Sequence, residues 1–393
     1  MVRAHQIVPQ AAGITCHAWN STGDMLALCP NNNELHIYEG CNSADMASWR
    51  RAHVLAEHDM IISGISWSHA NNKIVTCSHD RNAFVWKFDA AANRWVPTLC
   101  VLRIDRAALS VEWSPDGTKF AVGSGSKSVP VCFHDNSQYT DWYVSKMIKK
   151  HKSTVIQVAW HPNSQIIATV CSDRRCRVIS ATMQEVDATA DAGPFGQPAA
   201  FGEVYPNAEY PCAGWAVAAA WSPSGTKLCF AAHDSSIHIV DYAAGGTVCA
   251  VNYSLLPLSA VMFLGEGAVV GGGHDMEPLL FSRDAQGGWA MKTRLDTDFS
   301  ASRKGSQQAA VTKISAARAM FQAKTTRGEE ASDGVSATFK TTHRNAITCI
   351  RAVPSGGGGG GGGGGQFSTT ALDGQIAMWE TSSLNVDMGA LRI

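Results

Sequence analysis

Short runs of alternating apolar and polar residues recur along the whole chain, with few long helical stripes. Ile62-Ser63-Gly64-Ile65-Ser66-Trp67 is one such run, and Lys119-Phe120-Ala121-Val122 is another. Each predicts a half-buried strand. Between paired runs stand Pro-x-Gly sequences, where Pro presets φ and Gly accepts the left-handed region; this is hairpin-turn chemistry. The runs are tied to a recurring element: Trp113-Ser114-Pro115-Asp116-Gly117, Trp160-His161-Pro162-Asn163 and Trp221-Ser222-Pro223-Ser224-Gly225, with weaker copies at Trp67-Ser68-His69 and Trp19-Asn20.

A second element trails the first. An Asp is followed, after five residues, by a large apolar side chain: Asp80 and Trp86, Asp173 and Ile179, Asp234 and Val240, Asp275 and Phe281, Asp373 and Trp379. Thr76, Thr169 and Thr369 each stand four residues before the Asp, and His58, His151 and His343 open three of the units. The two elements define seven units beginning near residues 14, 58, 106, 151, 212, 258 and 343. A period of about 40–45 residues with this grammar resembles the WD repeat. It predicts an all-β chain, a seven-bladed β-propeller with four strands per blade.

The His, Thr, Asp and Trp have a common physical purpose. Asp in a tight turn accepts from His, His reaches the Thr hydroxyl, and the hydroxyl meets the indole N–H. Buried polar groups must be satisfied, and this chain satisfies several at once. Two units carry all four members: His58, Thr76, Asp80 and Trp86, and His343, Thr369, Asp373 and Trp379. A propeller must also close its ring, and the N-terminal segment near Gln6 to Val8 is expected to supply the outer strand of the last blade.

The domain map that follows is a single propeller over residues 1–393 with three departures. Residues 188–211 form a Pro/Gly/Ala-rich loop between units four and five. Residues 294–341 form a protruding, partly helical insert between units six and seven. Residues 356–365 are consecutive glycines at the turn joining the first two strands of unit seven. They are expected to form a flexible loop without function, since glycine retains the most backbone freedom.

Composition narrows the function. Apolar residues make up 45% of the 393 and supply a large core, while only 17% are charged, leaving neutral surface for partners to cover. A net charge of −1 argues against bulk attraction to nucleic acid. No stretch reaches the roughly 18 apolar residues of a membrane span, and the N-terminus leads into no apolar signal core. The 12 cysteines lack C-x-x-C spacing and are expected to be small buried hydrophobes with reduced thiols in a cytoplasmic protein. No cofactor, metal, nucleic acid or membrane partner is expected.

Three copies of His-Asp, at His79-Asp80, His233-Asp234 and His274-Asp275, fall at one repeat position on different blades, which favours a structural role over a metal site. His134-Asp135 lies off that position and is expected at the surface. Gly123-Ser124-Gly125-Ser126-Lys127-Ser128 fails the phosphate-loop pattern, because Ser126 stands where Gly is needed and no helix follows. No nucleophile elbow or family-type Cys/His pairing appears, so no enzymatic activity is expected. The basic run Lys146 to Lys152 is either a solvated blade edge or a contact with an acidic partner.

The insert is more informative. Between Phe299 and Gly328 there are six basic residues, Arg303, Lys304, Lys313, Arg318, Lys324 and Arg327, and no acid. Ile314 to Lys324 reads as a short helix rich in Ala, with Val311, Ile314 and Phe321 on one face. Such a basic amphipathic helix on a tether suits a groove on an acidic partner; a disordered loop in the free protein is the other reading.

Residues outside the repeat positions carry a more specific likeness. They include Cys16-His17-Ala18-Trp19-Asn20, Cys29-Pro30-Asn31-Asn32, His36-Ile37-Tyr38-Glu39, Ile74-Val75-Thr76-Cys77, Asp80-Arg81-Asn82-Ala83 with Val85-Trp86, and Pro97-Thr98-Leu99. Leu102-Arg103-Ile104, Lys119 to Ser126, Trp160-His161-Pro162-Asn163-Ser164, Phe201-Gly202-Glu203 and Gly273-His274-Asp275 extend it along almost the whole chain. In these the chain resembles the family of WD-repeat subunits of the actin-related protein 2/3 complex. The resemblance implies a non-catalytic scaffold subunit of an assembly that nucleates branched actin filaments in the cytoplasm. Its partners would be the other subunits, the actin filament and, as a further class, nucleation-promoting factors. The resemblance also implies that the insert helix, through Ile314, Arg318, Phe321 and Lys324, contacts an actin-type surface. The stretch Ala316 to Gln322 keeps the family's Arg, Phe and Gln spacing but has Ala and Met where the family carries more charge. The alternative is a WD-repeat adaptor of another complex, of the ubiquitin-ligase or chromatin type.

Overall fold

Seven antiparallel sheets of four strands each follow one another along the chain. The computed structural model describes residues 2–135, 142–284, 287–296, 341–354 and 365–381. Blade two shows the plan, with strands Ile62–Trp67, Ile74–Ser78, Asn82–Asp89 and Arg94–Val101 in order from channel to rim. The first strands of successive blades pack against each other all the way round, including Ile347–Ala352 of blade seven against Cys16–Trp19 of blade one. The result is a closed β-propeller, as the repeat count predicts.

Burial explains the strand composition. The second strand of a blade lies between two neighbouring sheets, so every residue of Lys119–Ser124, Ile166–Cys171 and Lys227–Ala232 is buried. Outer strands face solvent on one side and alternate instead, as in Arg94–Val101. All 12 cysteines are free thiols, and most are buried in these inter-blade layers.

Ring closure uses the N-terminus. Val2–Gln6 pairs antiparallel with Gln375–Glu380, from Val2 opposite Trp379 to Gln6 opposite Gln375. The strand overlaps the expected Gln6–Val8 segment only at Gln6; Val8 is already past it and packs in the core. His17, wholly buried, bolts blade one to blade seven through Thr370 Oγ1 at 2.9 Å and Ser368 Oγ at 2.8 Å. Trp19 donates to the same Ser368 hydroxyl at 2.8 Å.

The Trp-Ser/His-Pro element acts between blades. Trp160 Nε1 donates to the carbonyl of Glu112 at 2.9 Å and Trp221 Nε1 to that of Ala159 at 3.1 Å, each reaching the preceding blade. The Lys that follows this element is turned inward. Lys119 Nζ is buried against the Asp187 carboxylate at 2.6 Å, and Lys227 meets Glu266 at 3.1 Å. Both link a blade to the next one in sequence.

Two expected boundaries move. Residues 188–211 do not form a loop between blades: Val204–Pro211 is the outer strand of blade four, paired with Arg175–Ser180. Its prolines mask the strand pattern, and an outermost strand tolerates them because one edge needs no ladder partner. Tyr205 anchors it, stacked on Phe195 at 4.2 Å. At the insert, Arg294 still ends the outer strand Trp289–Arg294, and Leu295 and Asp296 remain packed. Asp296 accepts from the backbone N–H of Thr342 and, at 2.8 Å, from its hydroxyl, so the roots of the insert are tied together. The helix expected between Ile314 and Lys324, with Arg318 and Phe321, lies outside the described residues, as do Gly356 to Gly364 of the glycine run. The strands flanking that run are Ile347–Ala352 and Gln366–Ala371.

Candidate functional site

The turn joining the second and third strands sets the repeat chemistry. In blade two it is Ser78-His79-Asp80-Arg81, with Arg81 in the left-handed region at φ 73°. Asp80 uses one carboxylate oxygen to accept from the backbone N–H of Asn82 at 2.9 Å. The other accepts from the N–H of Asp59 at 3.1 Å and lies 2.7 Å from His58 Nδ1. His58 Nε2 is 2.8 Å from Thr76 Oγ1, and Trp86 Nε1 donates to that same oxygen at 3.0 Å. One proton arrangement serves every group: Nδ1–H donates to Asp80, the Thr76 hydroxyl donates to Nε2, and the indole donates to Thr76. It requires a neutral imidazole. Burial lowers the His58 pKa, outweighing the opposing pull of Asp80.

Blade seven repeats the set. His343 Nε2 lies 2.7 Å from Thr369 Oγ1, Trp379 Nε1 donates to Thr369 at 2.8 Å, and His343 Nδ1 is 3.3 Å from Asp373. The Arg344 N–H reaches Asp373 at 2.7 Å. The structure therefore brings together all eight tetrad residues named from the sequence, in two sets of four.

Other blades diverge at the same position. In blade four His151 Nε2 meets Thr169 at 2.9 Å, but Asp173 is held by Arg177 Nη1 at 2.9 Å. Among the described residues, His151 Nδ1 is left buried without a hydrogen-bond partner. Burial, helped by the Arg177 charge, pushes the His151 pKa down to about 4. In blade three Ser126 takes the Asp position; its hydroxyl accepts from the backbone N–H groups of Asp105 and Arg106 at 3.0 and 2.9 Å and donates to Asp105 at 2.5 Å. Gly123 to Ser128 is thus a strand-to-strand turn, as expected. His134 departs from expectation. It is half-buried in the strand Val129–Asp135, with its ring edge-on to Tyr143 at 5.2 Å.

The central channel holds groups that sequence reasoning missed. A cavity of about 370 Å³ is walled by inner strands of blades three to seven and includes Glu112, Gln157 and Arg351. Burial raises the Glu112 pKa to about 7, against the pull of Arg351 and a hydrogen bond from the Trp160 N–H. These polar residues sit in otherwise apolar strands on different blades, and only closure of the ring brings them together. Among the described residues, no group of three or more His, Cys, Asp and Glu side chains could hold a metal ion.

Large apolar side chains stand on the outside. Trp142 is 59% exposed, Trp215 56%, and Met60 and Leu256 52% each. The outer strand Arg94–Val101 adds Val96, Leu99 and Val101. Trp215 is tilted against His233 at 5.8 Å, and His233 stands edge-on to His274 at 6.2 Å, so two of the His-Asp turns meet on the loop face. The basic run is partly neutralised, since Lys146 pairs with Glu185 and Lys150 with Glu203.

Blade count, tetrads and inter-blade tryptophans together define a WD-repeat β-propeller, and the family model "WD domain, G-beta repeat" matches residues 49–87 and 142–180. Relatives narrow this further. The chain is 42% identical over 383 residues to actin-related protein 2/3 complex subunit 1B of Arabidopsis thaliana, covering 96% of this chain and 97% of that protein. It is 37% identical to subunit 1A-B of Xenopus laevis, covering 97% of each chain. With subunit 1 of Schizosaccharomyces pombe it shares 34% identity, over 92% of this chain and 95% of that one. The chain belongs to the family of actin-related protein 2/3 complex subunit 1.

Proposed function

We propose that this chain is a non-catalytic scaffold subunit of the actin-related protein 2/3 complex, acting in the cytoplasm at the actin cytoskeleton. In this reading the propeller binds the complex's other subunits and supports nucleation of branched filaments. The insert residues Ile314, Arg318, Phe321 and Lys324 contact an actin-type surface, and nucleation-promoting factors are a further class of partner. The observation that carries the reading is the extent of the likeness: 42% identity spread over 96% of the chain, well beyond the repeat positions. The buried His58, Asp80, His343, Asp373 and Lys119 serve turns and inter-blade ties, which supports a binding role over catalysis.

The test is affinity purification of the tagged full chain from its own cytosol, with mass spectrometry of what elutes. Stoichiometric recovery of both actin-related proteins is the expected result. Recovery of a ubiquitin-ligase or chromatin assembly in their place would overturn the reading.

A further inference from the structure

We propose that the cleft on the loop face of blade three, between the segments that enter and leave that blade, binds a compact polyphosphate of the inositol-polyphosphate class, held by Arg103, Lys127 and Lys149. The cleft has a volume of about 560 Å³, within the range of small-ligand sites, and these three cations share its lining with Ser126, Asp105 and His151. Among the described residues, none of the three cations has a hydrogen bond or ion pair. Their neighbours do: Lys146 is paired with Glu185, Lys150 with Glu203, and Arg177 with Asp173 and Glu209. Among the described residues, Asp105 is the one carboxylate in the lining, and it already accepts the Ser126 hydroxyl at 2.5 Å.

The charge is concentrated by the repeat itself. Lys127 occupies the left-handed position after the turn, at φ 60°, and Arg81 and Arg174 occupy it in blades two and four. All three are exposed. Blades five, six and seven place Ser235, Met276 and Gly374 there. The positive field therefore covers one sector of the face and is strongest where a concave wall can focus it. An Arg fork and two Lys ammonium groups suit phosphate oxygens, which accept several hydrogen bonds and carry more than one charge each. A single carboxylate would leave most of these donors unused. Phosphate on a free inositol ring and phosphate on a lipid headgroup offer the same chemistry.

The experiment titrates the purified full chain with inositol hexakisphosphate by calorimetry. Parallel flotation uses phosphatidylcholine vesicles doped with phosphatidylinositol 4,5-bisphosphate or with phosphatidylserine at equal charge. Binding is expected to weaken steeply with salt and to fall about tenfold or more in R103E/K127E. The control K87E/R94E makes the same charge change at exposed residues outside the cleft and should bind within about twofold of wild type. Unchanged melting temperatures exclude misfolding in both variants. Binding of the soluble ring alone assigns a free ligand, and binding of the phosphoinositide vesicles as well assigns a headgroup; either supports the site. Equal losses in the two double variants, equal affinity for a Glu-rich peptide of matched charge, or no binding at about 1 mM would overturn it.

Discussion

Blades two and four carry the same His, Thr and Asp at the same repeat positions and reach different states. The fourth residue after the Asp decides. In blade two it is Phe84, whose ring stands edge-on to His58 at 4.8 Å and leaves Asp80 free to accept from the imidazole. In blade four it is Arg177, which takes Asp173 for itself and extends to Glu209. The residue six after the Asp changes too, from Trp86 to Ile179, so Thr169 has no indole to accept from. A hydrogen-bonded chain of four has become an ion pair beside a His with one orphaned nitrogen. A repeat motif thus specifies its network only when the neighbouring positions do not offer its members a stronger partner.

The largest difference between the two blades should appear at the Thr. Thr76→Val removes the partner of both His58 and Trp86, and two stranded buried groups should cost about 2–4 kcal/mol. Thr169→Val strands His151 Nε2 and loses a long 3.4 Å contact to the Arg177 carbonyl, and should cost about 1–2 kcal/mol. Denaturant unfolding of both variants measures the gap; equal losses would mean that the indole contributes nothing to the blade-two chain.

Between these two blades, acid should act next, and more through blade four than through blade two. The folded-state pKa of His151, about 4, lies below its ordinary 6.5, so the unfolded chain binds the extra proton. The stability that neutral His151 contributes is present above pH 6.5 and lost as the pH falls from there toward 4. By pH 4 the loss from this residue is about 3 kcal/mol. Replacing His151 with Gln should flatten that part of the stability profile, whereas an unchanged profile would place the acid sensitivity elsewhere.

The smallest effect tests the cause directly. Arg177→Ala removes a positive charge beside His151 and frees Asp173 to meet Nδ1, and both changes raise the His151 pKa. An NMR titration of the His151 ring should show the midpoint moving up from about 4 toward 6.5. A midpoint that stays put would mean that burial alone sets it.

The legible parts of this fold were those that recur. His58, Thr76, Asp80 and Trp86 could be placed from sequence because blade seven repeats them at the same spacing. Distances across the ring have no such signal. His17 closes the propeller, but its partners Ser368 and Thr370 lie 351 and 353 residues away, and no local pattern joins them. The N-terminal strand was expected from the need to close the ring, yet its register depends on pairing with Gln375–Glu380 at the other end of the chain. Val204–Pro211 was hidden by its prolines, and the capture of Asp173 by Arg177 is a competition between two geometries that spacing does not reveal. His134 shows the reverse: lying off the repeat position does not put a residue on the surface.

The proposed division of labour, with the propeller for assembly and the insert for contact with actin, is tested most directly by deleting residues 300–328 and assaying branch formation in the reconstituted complex. The roots of the insert, Asp296 and Thr342, stay joined, and shortening a long surface connection changes loop-closure entropy little. The melting temperature should barely move, and the subunit should still enter its complex. Branching should fall, since the deletion takes Ile314, Phe321 and all six positive charges of the segment, Arg318 and Lys324 among them. Normal branching by the deleted complex would contradict the assignment of the insert to actin contact, and failure to assemble would contradict its separation from the propeller.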